Sequence, residues 1–420
     1  AASDVYKRQL ISQGGGIYSR AAKSIVISNE TKTLLGIKED RLIPLELIRS
    51  MLKAPVDLLW NGGIGTYVKA TGETHEEVSD KANDGLRVDG AELRCKVIGE
   101  GGNLGVTQLG RVEFARKGGL IYTDFIDNSA GVDCSDHEVN IKILLNQILS
   151  AGDMTLKQRN QLLVEMTDEV ADLVLANNYS QSQAISLVAS QATQRVSEHA
   201  RFINWLESQG RLERSLEFLP DNKESARRQA ENSGLTKPEI AVLHSYSKMT
   251  YYEALIQSEI PDDTFLASKL ENYFPGVLGE RYSSQMANHQ LKREIIATHL
   301  TNDIVDHIGP GFGFRMREEV GANIAGVTRA YLAASMIFDA NQLWQRIEAL
   351  DNRVAAGIQI EMLLKVARML ERSVNWMLRY RQGSLQIREL VDYFRPGVSE
   401  LTEKLPKPLA AQDRLDLNRQ

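Results

Sequence analysis

The 420-residue chain carries 49 Lys and Arg against 55 Asp and Glu, a formal net charge of -6, with 43% hydrophobic residues. That balance argues against a nucleic-acid partner and a polybasic membrane anchor, and the length suits two or three domains with full cores. No apolar run reaches the ~18–20 residues of a membrane span, the opening "AASDVYKRQLISQGGG" has no signal-peptide core, and Cys95 and Cys134 suit free thiols in a reducing cytoplasm.

The chain opens on Ala1, not Met, and starts inside an element. We therefore expect a portion of a longer protein, and whether residues 1–8 are native stays open. From 54 to 150 the sequence alternates between two periods. "APVDLLW" (54–60) reads as a strand ending in "NGGIG", and "HEEVSDKANDGL" (75–86) as a helix. "ELRCKVIG" (92–99) is a second strand, ending in "EGGNLG". "TQLGRVEFARKG" (107–118) is helical, with Leu109, Val112, Phe114 and Ala115 on one face. "GLIYTDFI" (119–126) is a third strand ending in "DNSAGVDCSD", and a helix is expected from near Ser135. Strand, loop and helix in repetition predict a parallel sheet wrapped by helices.

Beyond 150 the strand signal stops. Helices are expected over 155–176, 180–209, 237–258, 263–273, 283–306, 322–335, 339–350 and 354–380. "TKPE" predicts a capping box, with Thr236 as cap and Glu239 reaching back. The stretch from Arg395 is polar, with little periodicity, and is expected to pack loosely.

No G-x-G-x-x-G pyrophosphate loop is present. Gly99 and Gly101 are followed by Leu104, Gly63 and Gly65 by Val68, and Gly14 and Gly16 by Ser19. The expected fold is α/β plus all-α. The second part of a Rossmann-like parallel-sheet domain (1–150) precedes a large helical domain (151–385) and a polar tail (386–420). The three strand ends share a different pattern, an asparagine in a glycine-rich loop: Asn61 in "WNGGIG", Asn103 in "GEGGNLG", Asn128 in "DNSAGV". In an open parallel sheet these loops gather at the carboxyl edge, where ligands bind. Asparagine supplies a donor and an acceptor, and glycine admits a ligand to the backbone. A single Asn-Gly loop is commonly just a turn; three on one edge point to a site.

"EGGNLGVTQLG" followed by "TDFIDNSAGVDCSDHEVN" resembles the glutamate dehydrogenase superfamily, with its E-G-A-N-x-P-T loop and N-A-G-G-V-x-x-S-x-x-E segment. Glu100, Gly101, Gly102 and Asn103 match the first; Asn128, Ser129, Ala130, Gly131, Val132, Ser135 and Glu138 match the second. "PVDLLWNGGIGTYVKA" departs from the ordinary D-I-L-I-P-A-A. It is similar instead to the large bacterial NAD-specific glutamate dehydrogenases, as are "GGGIYSRAAKSI", "LTKPEIAVLHSYSKMTYYEAL" and "IEALDNRV". The likeness runs from about residue 9 to 380.

The resemblance implies NAD as cofactor, L-glutamate, 2-oxoglutarate and ammonia as substrates and products, and a homo-oligomer. It implies cofactor contacts from Asn61, Gly62, Gly63, Gly101, Gly102, Asn103 and Asn128. Substrate contacts come from Asn128 and from Ser135, whose hydroxyl would meet the distal carboxylate at a helix N-terminus. The family's catalytic lysine and aspartate have no match here, so the chain by itself is not expected to turn over. Two alternatives stand beside this reading. One is a non-catalytic helical module for assembly or regulation. The other is a dehydrogenase of another amino acid, against which Ser135 speaks.

His299, Asp303 and His307 share one helical face at spacing that permits a metal, but a solvated or capped polar face is the expectation, with no metal. Cys134 and Cys95 are expected to pack, and Trp205, Trp344 and Trp376 to lie between helices.

Overall fold

The computed structural model describes residues 11–380 and 386–404, so the question of residues 1–8 and the last part of the tail lie outside it. The chain divides into two compact units. One runs to Val132 and includes Glu213–Arg227 and Gly234–Val242; the other holds Asp133–Leu212, Arg228–Ser233 and Leu243 onward.

In the first unit β1 (Ile25–Val26) and β2 (Arg41–Leu42) pair antiparallel across α1 (Asn29–Leu35), and α2 (Pro44–Leu52) follows. Pro44 opens α2, where its missing N–H costs nothing. Next come β3 (Leu58–Asn61), β4 (Val68–Lys69), α3 (His75–Val78), β5 (Val88–Asp89), β6 (Val97–Glu100), α4 (Gln108–Arg116) and α5 (Asp124–Asp127). β3 and β6 are parallel, in register from Leu58↔Val97 to Asn61↔Glu100, and β4 is parallel to β5. Val68, Val88, Ile98, Val106, Phe114 and Ile121 form the core beneath them.

The expected strands at 54–60 and 92–99 are each four residues long, and two further elements are reduced more severely. The third strand is reduced to Leu120, which bridges Val97 in parallel while its N–H donates to the Lys96 carbonyl and its carbonyl accepts from Ile98, both at 2.9 Å. The backbone then turns at Thr123, whose carbonyl accepts from the Ile126 and Asp127 amides of α5. The helix expected over 75–86 lasts one turn. Ser79 adopts a left-handed φ of 58° and ends it. A polar clamp holds the chain beyond: the Arg87 guanidinium is enclosed and donates to the carbonyls of Thr66 at 2.9 Å and Asp80 at 2.7 Å, and to the Asp84 carboxylate at 2.7 Å.

The second unit is helical. α6 (Ser129–Ser150) enters it, followed by α7 (Leu156–Glu165), α8 (Thr167–Ser190), α9 (Val196–Ser208), α10 (Asn222–Ala230) and α11 (Lys237–Ile256), the last two shared between the units. Then come α12 (Ala267–Glu271), α13 (Gly276–Met286), α14 (Lys292–Ile308), α15 (Phe312–Val320), α16 (Ile324–Ile337), α17 (Ala340–Glu348), α18 (Ala356–Tyr380) and α19 (Ile387–Lys404). The capping box before α11 is present: Glu239 accepts from the Thr236 amide and hydroxyl, each at 2.7 Å. α16 is buried almost all round, with Ala330, Ala333 and Ala334 letting its neighbours approach closely. α18 buries Leu363, Val366, Ala367, Leu370, Val374 and Met377, the three- and four-residue spacing of one helical stripe.

Helix boundaries differ from expectation in several places: the stretch 155–176 is split at Met166, the stretch 283–306 is split at 287–291, and α15 was not expected. α8 runs unbroken through 177–180, where the polar "NNYS" suggested an end, and the break falls instead at 191–195. α10 lies in a stretch where no helix was expected. The polar tail is an amphipathic helix as far as Lys404: Ile387, Leu390 and Val391 are buried, and Phe394 and Val398 pack on the core. Its apolar residues keep helical spacing even though charges separate them. No helix among the described residues is long and apolar enough to cross a membrane.

Candidate functional site

β3 and β6 end side by side, because Asn61 pairs with Glu100. The two loops that follow are tied together at once: the Gly102 amide donates to the Asn61 carbonyl at 3.1 Å. The third loop joins through side chains, with Asn128 Nδ2 donating to Asn103 Oδ1 at 3.0 Å. Asn61, Asn103 and Asn128 therefore lie on one edge of the sheet, the carboxyl edge. Asn103 is exposed and Asn61 and Asn128 are half-buried, so their amides have capacity left for a ligand.

The glycines are there for close approach. A Cβ on Gly102 would sit 2.5 Å from the Gly63 carbonyl oxygen, and one on Gly101 would strike the Trp60 indole. One on Gly105 would strike the Asn61 amide. Gly62 and Gly63 are exposed at the head of the first loop, and the Gly63 amide approaches Asn61 Oδ1 at 3.5 Å. A cavity of about 300 Å³ opens beside β3, with Asn61, Tyr67, Ile98 and Gly105 in its wall.

A buried charge cluster, absent from the sequence reading, shapes the glycine loop. Glu100 is 0% exposed, and its carboxylate accepts Arg111 Nε at 2.7 Å and Nη2 at 2.9 Å. It also accepts the Val106 amide at 3.1 Å. Asp124 takes the Leu104 amide at 2.8 Å and pairs with Arg111 at 3.1 Å, and Asp127 takes the Glu100 amide at 2.9 Å. Three carboxylates and one guanidinium thus fix both ends of the loop and hold Leu104 at a φ of 61°, a costly conformation outside glycine. Burial pushes the Glu100 and Asp127 carboxyls up, while Arg111 pulls against it. These carboxylates are committed to backbone amides and to Arg111, so they position the edge. The sequence did hold a signal: Arg111 is a charge beside the apolar Val112 and Phe114 face of α4.

Ser135 is placed differently from expectation. α6 starts at Ser129, not near Ser135, so Ser135 is exposed in its second turn and belongs to the second unit. The free amides of a helix N-terminus are confined to its first turn, so the anion site inferred at Ser135 is not there. Cys134, expected to pack, is exposed on the same helix, whereas Cys95 is buried.

The spaced His299, Asp303 and His307 form part of the helical core, not a solvated face. Asp303, its side chain 9% exposed, accepts from Lys269 at 3.0 Å, His307 at 3.1 Å and the Tyr331 hydroxyl at 3.1 Å. His307 stacks on Trp344 with ring centres 3.7 Å apart. No cluster suited to a metal ion occurs among the described residues.

A family model described as bacterial NAD-glutamate dehydrogenase, catalytic domain, matches residues 1–188, and one described as glutamate dehydrogenase, C-terminal, matches residues 232–420. The NAD-specific glutamate dehydrogenases of Halomonas elongata and Pseudomonas aeruginosa are 51% and 52% identical over 409 residues, which is 97% of this chain and 25% of each relative. That of Mycobacterium tuberculosis is 44% identical over 415 residues. The chain spans about a quarter of the length of the curated relatives it matches. Two family models along the chain and this level of identity agree with the loops at the sheet edge: the chain belongs to the bacterial NAD-specific glutamate dehydrogenase family.

Proposed function

We propose that this chain supplies the nicotinamide side of the cofactor cleft in an NAD-dependent oxidation of L-glutamate to 2-oxoglutarate and ammonia. The observation that carries the reading is the Asn103–Asn128 amide pair standing beside close-approach glycines at the carboxyl edge of parallel strands. Asn103 and the Gly101 and Gly102 backbone serve the cofactor's ribose near the nicotinamide. Asn61, Gly62 and Gly63 line the cleft, and Asn128 meets the nicotinamide edge or the substrate. The parallel strands are read as part of a Rossmann-like domain within residues 1–150, and 151–385 as a helical body.

Hydride transfer requires the nicotinamide ring and the substrate Cα to be held together while an acid/base pair handles the amine and water. This chain's residues do the holding. NAD supplies the hydride acceptor when bound, and the family's lysine and aspartate, with no match in these 420 residues, supply proton transfer. The Ser135 hydroxyl is assigned to the substrate's distal carboxylate through its side chain alone. Two free thiols suit a cytoplasmic enzyme, and a homo-oligomer is in keeping with the family.

The test is a chimera in which this chain replaces the matching quarter of the Pseudomonas aeruginosa relative. Glutamate-dependent NAD reduction by the chimera is expected. A folded chimera with no such activity would overturn the proposal.

A further inference from the structure

α9, α11 and α15 enclose a cleft of about 460 Å³ within the second unit, large enough for an organic molecule of one or two rings. One wall is aromatic: the Trp205 ring centre lies 6.0 Å from that of Phe202 and 5.6 Å from that of Phe314. The mouth is cationic. The Arg317 guanidinium rests 5.5 Å from the centre of the Trp205 ring, and no described carboxylate pairs with it. Arg211, nearby in the lining, is already bound to Glu253 at 2.6 Å. Tyr251, also in the lining, is 2% exposed, and its hydroxyl has no hydrogen-bond partner among the described residues.

Each feature is incomplete in a way that names a ligand. A guanidinium held only by an indole face is short of its best partner, a carboxylate, which it can bind through two parallel hydrogen bonds. The aromatic wall offers faces and edges to a further ring. A buried hydroxyl without an acceptor is costly, and an acceptor seated in the cleft would relieve it. We propose that this cleft binds a small aromatic carboxylate, its ring against Trp205 and Phe314 and its carboxylate on Arg317. The site is separate from the strand-end loops and does not depend on the cofactor reading.

Calorimetric titration of the full 420-residue chain with phenylacetate and indole-3-acetate tests it, with benzyl alcohol as a ring without the anion and acetate as the anion without the ring. Saturable one-to-one binding of the two aromatic carboxylates is expected, with Kd of about 1 mM or tighter, and both controls should bind at least about tenfold more weakly. Arg317 is exposed, so Arg317→Gln should melt as the parent does while its affinity falls about tenfold or more. Arg317→Lys, which keeps the charge and loses the planar fork, should fall between them. No saturable binding by either carboxylate, equal binding by the controls, or affinity unchanged in Arg317→Gln would overturn the proposal.

Discussion

Glu100 and Arg111 show what the glycine loop rests on. The pair is buried, bidentate and tied to Asp124 and the Val106 amide, so removing one partner strands a charge. Arg111→Met should cost about 3–5 kcal/mol of stability at pH 7, read by urea unfolding of the chain. Burial already raises the Glu100 pKa, and loss of the guanidinium raises it further. A carboxyl whose folded pKa lies above its unfolded value stabilises at low pH and loses that contribution as pH rises through the folded value. The deficit of Arg111→Met against the parent should therefore shrink as the pH is lowered through the carboxylate range. At Gly102 the constraint is steric. Alanine would drive its Cβ onto the Gly63 carbonyl, backbone against backbone, and part the two loops. Gly102→Ala in the chimera should lower kcat/KM for NAD by about 10- to 100-fold, measured by steady-state kinetics. The three asparagines were legible because each stands in a glycine loop directly after an apolar run. The carboxylates that hold those loops were not, since their partners are distant in sequence and nothing local marks a charge as buried.

At the scale of elements, α9 and α14 carry histidines into the helical core. Burial pushes His199 and His299 down to about 4, below the usual ~6.5 of an unfolded chain. The unfolded state then binds more protons between those values, and stability is lost as the pH falls from about 6.5 to 4. His307 works against this, because Asp303 raises its pKa, but burial also lowers His137, His244 and His289. The melting temperature should drop through that window. His199→Met, which removes a ring whose Nδ1 has no partner among the described residues, should flatten the drop. α16 sets a different limit. Ala333 is 0% exposed in a helix buried nearly all round, so Ala333→Leu should cost about 1–3 kcal/mol by overpacking, again by urea unfolding. The long helices were legible from their apolar spacing, and the capping box located the start of α11. Ends and short elements were not. The one-turn α3 and the single-bridge third strand depend on tertiary hydrogen bonds, those of Arg87 and of Leu120 to β6, which override local preference.

For the whole molecule, the chain first passes from one compact unit to the other after Val132, the catalytic-domain family model runs past that point to residue 188, and the chain spans about a quarter of the relatives it matches. The 420-residue chain alone should show no glutamate-dependent NADH formation, while the chimera should. The account turns on the claim that the Asn103–Asn128 edge holds the cofactor. The most direct measurement is KM for NAD in the chimera carrying Asn103→Ala, set beside KM for glutamate. Loss of one hydrogen bond is worth about 0.5–1.5 kcal/mol, so KM for NAD should rise about 2- to 13-fold with KM for glutamate nearly unchanged. Equal KM for NAD in parent and variant, with both folded, would contradict the account.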